Sequence, residues 1–73
     1  MEREHRGWSI VIRSSYESRD RKWRPTVTVS IETEQSDLLT RRLSTPVDWA
    51  FDTEQESDER GYQLAVTWIN EGR

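Results

Sequence analysis

From Phe51 to Gly72 the chain carries a cap, an acidic first turn, one apolar stripe at helical spacing and a glycine stop. No other segment limits the fold as strongly. Asp52 and Thr53 can each accept a bond from a free first-turn amide, and Gln55 and Glu56 stand three residues on, as a capping box requires. Gly61, Ala65, Trp68 and Ile69 fall on one face of this predicted helix, flanked by Tyr62, Leu64 and Val66. A lone amphipathic helix cannot bury such a stripe, so the preceding residues must supply the surface that receives it.

Those residues have the period of strands. Trp8, Ile10 and Ile12 alternate with Ser9, Val11 and Arg13, and Val27, Val29 and Ile31 alternate with Thr26, Thr28 and Ser30. Between them, Ser14 to Lys22 holds no aliphatic residue and reads as a long exposed connection. Pro25 lacks an amide hydrogen, which suits a strand entry or an edge. After a polar turn over Glu32 to Asp37, Leu39, Arg41 and Leu43 alternate with Leu38, Thr40 and Arg42 as a weaker third strand that Pro46 ends. Val47 to Phe51 reads as a short connector carrying Trp49. Residues 1–6 read as a flexible arm, and residues 7–73 as a single domain.

Consecutive strands with polar links are most simply an antiparallel meander. The expected fold is therefore α+β: a three-stranded antiparallel β-meander covered on one face by a single C-terminal α-helix (βββα). Trp8, Ile10, Ile12, Val27, Val29, Ile31, Leu39 and Leu43 can share the covered face. Gly61 and Ala65, in the middle of the stripe, let the helix axis come close. At 73 residues with no cysteine, the domain is near the size limit for one core without staples. The chain is 32% hydrophobic against 34% charged, a ratio also found in disordered chains, but its apolar residues are grouped by period.

Charge is unevenly spread. Residues 1–30 carry seven Arg/Lys against four Asp/Glu, and residues 31–73 carry four against ten. Such a split can steer an anionic partner to one end, or draw copies of the chain together. No apolar stretch is long enough to span a bilayer, and Met1 to Arg6 is polar with no apolar run behind it. A cytoplasmic protein without membrane contact is expected.

Catalytic patterns are sparse. His5 is the only histidine and lies in the expected arm, where nothing fixes its tautomer. Without cysteine or a second histidine, zinc and thiol chemistry are not expected. The run Asp52, Glu54, Glu56, Asp58, Glu59 suits the positive end of a helix, and Glu56 with Arg60 has i,i+4 spacing. Ser14, Ser15 and Ser18 have no base nearby in sequence. No enzyme activity and no cofactor are expected.

The basic loop between the first two expected strands is the most suggestive feature. Arg19, Arg21, Lys22 and Arg24 surround Trp23, with Arg13 and Tyr16 on its other side. Cations interleaved with an aromatic can neutralise phosphates and stack on bases. The same residues also suit a solvated hairpin tip with Trp23 folded onto its own sheet. The uncovered sheet face offers another contact surface through Ser9, Val11, Arg13, Thr26, Thr28 and Ser30. If the first or third strand is an open edge, strand addition gives a homodimer.

The runs Gly7-Trp8-Ser9-Ile10-Val11-Ile12, Trp23 to Val29, Phe51 to Glu56, and Arg60-Gly61-Tyr62 through Trp68-Ile69 resemble those of small uncharacterised bacterial proteins. The resemblance implies a strand-rich sheet with one covering helix and brings no activity with it. The order of elements is also similar to the DNA-binding domains at the front of phage-type integrases, in topology alone. The expected role is a small non-enzymatic interaction module, self-associating through its sheet or binding another protein. The alternative is nucleic-acid binding through Arg13, Arg19, Arg21, Lys22, Trp23 and Arg24.

Overall fold

In the computed structural model, which describes residues 1–72, four strands precede one helix. β1 spans Glu2–His5, β2 Trp8–Glu17, β3 Lys22–Glu32, β4 Leu38–Leu43 and α1 Glu54–Asn70. The strands form one antiparallel sheet in the order β1-β2-β3-β4. The α+β class, the antiparallel meander and the single C-terminal helix all agree with the sequence, but the sheet has four strands rather than three.

The extra strand lies in the expected arm. Arg6 and Gly7 both have positive φ (51° and 85°), the conformation of a tight two-residue hairpin turn, and they fold Glu2–His5 back onto β2. Met1 and Ile12 exchange both backbone bonds at 2.8 Å. The register then sets Arg3 opposite Ile10 and His5 opposite Trp8. A strand of Glu, Arg, Glu and His has no apolar alternation to reveal it, because it sits at the edge with both faces near water.

The expected long connection also differs. β2 runs on to Glu17 and β3 begins at Lys22, leaving a tip over residues 18–21 closed by Arg21 at φ 58°. Its outer turns are held by Tyr16 paired with Trp23, whose rings lie 5.3 Å apart, rather than by aliphatics. Trp23 also exchanges backbone bonds of 2.7 and 2.9 Å with Phe51, so the connector after β4 returns to the sheet. Pro25 faces the gap between Leu43 and Phe51 on that side, where a strand amide would have had no partner.

α1 lies over β2 and β3. Thr53 caps it: its Oγ1 accepts from the Glu56 amide at 3.1 Å, so Thr53 rather than Asp52 fills that place. At the other end, Gly72 (φ 75°) donates to the Ile69 carbonyl at 3.0 Å. Ser57, Gly61, Ala65 and Ile69 are buried at four-residue spacing, against Ile10, Ile12, Val27 and Val29 of the sheet. Each of those four aliphatic side chains contributes roughly 1.5–3 kcal/mol on burial. A Cβ at Gly61 would lie 3.0 Å from Ile12 Cγ2, 3.1 Å from Val27 Cγ2 and 3.2 Å from Pro25 Cβ, so glycine permits the close approach. Trp68 falls beside the stripe and meets Trp8 edge-to-face at 5.2 Å.

The helix does not reach across the whole sheet. Leu43 is half-buried, but Leu39 remains 42% exposed although its register places it on the helix side. The expectation that Leu39 joins the core is corrected by this offset.

Candidate functional site

Trp23 does not share a face with the strand cations Arg13, Lys22 and Arg24. Trp23 pairs with Tyr16 on the helix side of the sheet, whereas Lys22 and Arg24, one position to either side, have the opposite parity. Lys22 is ion-paired with Asp52 and Arg24 with Asp20. The hydrogen bond from Arg24 holds the Asp20 carboxyl below its ordinary value, and Asp20 in turn raises Arg24. Lys22 is raised mainly by its bond to Asp52. Arg19 and Arg21 are exposed in the hairpin tip, and Arg13 lies opposite Thr26 on the uncovered face. Stacking on Trp23 and phosphate contact by these cations therefore point to different sides.

Other polar side chains are used structurally. His5 is half-buried, with Nε2 2.9 Å from Asn70 Oδ1, and Arg6 donates to the same oxygen at 3.3 Å. These contacts tie β1 to the end of α1. Ser14 Oγ lies 2.8 Å from the buried Ser57 Oγ and 2.5 Å from Asp58 Oδ1, which joins the extended part of β2 to the first helical turns. Arg60 lies over the rings of Trp49 and Phe51, at 5.5 and 6.0 Å, and this places the connector on the helix. A groove of about 550 Å³ separates Met1 and Arg3 from the acidic first half of α1, with Glu54, Asp58 and Glu59 on its wall. Among the described residues, no three His, Cys, Asp or Glu side chains come together in a metal-ligating group. No helix there is long and apolar enough to cross a membrane.

The outer edge of β4 is different. Five of its six residues are exposed, including Leu38 at 70%. Bond phase follows from the Thr33 amide donating to the Asp37 carbonyl at 2.7 Å. Alternation along the ladder then turns the peptide groups of Leu39, Arg41 and Leu43 toward β3, and those of Leu38, Thr40 and Arg42 outward. Beside this edge runs a shallow groove of about 350 Å³ lined by Arg41, Arg42, Leu43, Ser44, Leu64 and Trp68. The first expected strand, now β2, is closed by β1 and offers no edge. The strand expected third, now β4, is open. Sequence alternation located β4, but its two adjacent leucines signal exposure only once the helix is placed over β2 and β3.

No family model, curated protein or solved structure matches the chain.

Proposed function

We propose that the chain is a non-enzymatic protein-interaction module that accepts an extended strand along the outer edge of β4. The observation that carries this reading is the outward row of peptide groups at Leu38, Thr40 and Arg42, on a strand whose Leu38 and Leu39 stay exposed. Unpaired edge amides and carbonyls are a ready template for another strand, and alternate side-chain positions supply selectivity. The helix-side groove lies where the side chains of an added strand would reach Leu43, Leu64 and Trp68. Arg41 and Arg42 favour acidic groups on the incoming strand.

Nucleic-acid contact through Arg13, Arg19, Arg21, Lys22, Trp23 and Arg24 stands behind this reading, because two of the cations are paired and Trp23 lies on the other side. One titration followed by backbone amide resonances separates the two. A heptapeptide of alternating valine and glutamate should shift Leu38, Thr40 and Arg42 and leave Glu2 and Glu4 of β1 unmoved. A DNA duplex should give no shifts that weaken steeply with salt. Salt-sensitive shifts at Arg13, Arg19 and Arg21, with none on β4, would reverse the order of the two readings.

A further inference from the structure

The strand edge assigned above contains a self-complementary segment, and we infer that its partner is a second copy of this chain, paired about a two-fold axis at Leu39. This rests on the reading of β4 as an accepting edge and adds the occupant and the register. A two-fold axis perpendicular to the sheet pairs β4 with β4 of the other copy antiparallel and keeps both helices on one side. Each residue then meets a partner of the same face, which leaves three central registers to weigh.

Centred on Leu39, the register pairs Asp37 with the second copy's Arg41, Leu38 with its Thr40, and Leu39 with its own counterpart. The remaining pairs follow by symmetry. Opposite charges face each other twice, and the two exposed leucine positions are covered. Leu38 and Thr40 carry outward peptide groups, so they form the hydrogen-bonded pairs, while Leu39 sits in the closer non-hydrogen-bonded pair. Centred on Arg41, the register sets two guanidinium groups directly opposite one another, an arrangement that destabilises a strand pair. Centred on Thr40, it sets Leu39 against Arg41 and leaves Asp37 without a cation. Neither Asp37 nor Arg41 has an ion-pair partner within the described chain, so both are available for the first register.

The result joins two four-stranded sheets into one of eight strands, with both ends closed by β1. β1 cannot serve in the same way. A two-fold axis at Arg3 sets arginine against arginine and Glu2 against Glu4, and an axis at Glu4 sets glutamate against glutamate. A single strand pair buries little area, so the dimer is a weak one.

The test begins with sedimentation equilibrium of the full chain from roughly 10 µM to about 1 mM, where a reversible monomer–dimer equilibrium is expected. Asp37→Arg should weaken it roughly tenfold by replacing two attractive pairs with two repulsive ones, and Asp37→Arg with Arg41→Asp should restore it. The chain has no cysteine, so Leu39→Cys introduces a single thiol. In this register its Cα lies about 4.5 Å from its counterpart, within disulfide range, and mild oxidation should give a covalent dimer. Arg41→Cys should cross-link far more slowly. Faster cross-linking through Arg41→Cys, or a charge swap that fails to restore association, would overturn the register while leaving β4 as the contact. A chain that stays monomeric across the whole range would overturn the second copy as partner. In that event, shifts at Leu38 and Thr40 with the valine–glutamate peptide would keep the strand-accepting reading, and their absence would remove both.

Discussion

The two edges of the sheet solve the same physical problem in opposite ways. β1 is a short strand of Glu, Arg, Glu and His, linked to the end of α1 through the contacts of His5 and Arg6 with Asn70. Its charges discourage a further strand, and two-fold pairing about Arg3 or Glu4 sets like charges together. β4 carries Leu38 and Leu39 in sequence, has no carboxylate between Leu38 and Leu43, and leaves both of those leucines exposed. Charge and the contacts with Asn70, rather than helix cover, set the two edges apart, because α1 lies over β2 and β3. Gly61 seats α1 over Ile12, Val27 and Pro25 of the two central strands.

The largest expected effect follows from that seat. Gly61→Leu forces a side chain into contacts already at 3.0–3.2 Å for a single Cβ, and should destabilise the fold by about 1–3 kcal/mol in a denaturant melt. An unchanged midpoint would refute the close approach of the helix to β2 and β3. A smaller effect is expected where β1 is tied down. Asn70→Ala removes the acceptor shared by His5 and Arg6 and should cost about 0.5–1.5 kcal/mol, with faster exchange of β1 amides than of β3 amides. Uniform loss across the sheet would show that Asn70 does not secure that edge in particular.

Charging the open edge should be gentler still on the fold. Leu38→Glu with Leu39→Lys imitates β1 and should change stability by no more than about 0.5 kcal/mol, while abolishing association at every concentration tested. Retained association would place the contact elsewhere. The smallest effect belongs to the hairpin tip. Arg24 depresses the Asp20 carboxyl, so this pair's contribution is present near neutrality and fades as pH falls below 3.8 through the folded value. Both groups are solvated, so Asp20→Asn should leave the melting temperature almost unchanged near neutrality, and the two proteins should converge in acid. A large drop at neutral pH would mean that the tip bears on the fold more than its exposure allows.

Most of the layered architecture was legible in the sequence because burial imposes a period. Ile10, Ile12, Val27 and Val29 repeat at two, Gly61, Ala65 and Ile69 at four, and the N-cap and glycine stop mark the helix ends. β1 was illegible because an edge strand with no buried face has no period to display. The outer half of the β2–β3 hairpin was hidden for a related reason: Ser14 meets the helix through hydroxyl and carboxylate partners, and Tyr16 pairs with Trp23, so no aliphatic alternation marks them. The candidate site was legible in part. A meander leaves the first and the third expected strands as candidate open edges, and β1, which has no period to reveal it, closes the first.

Amide hydrogen exchange at increasing chain concentration tests the contrast between the edges most directly. Protection of the Leu38 and Thr40 amides should rise with concentration, while the outward amides of Glu2 and Glu4 exchange at a constant rate. Protection that stays flat at Leu38 and Thr40, or that rises at Glu2 and Glu4 instead, would contradict it.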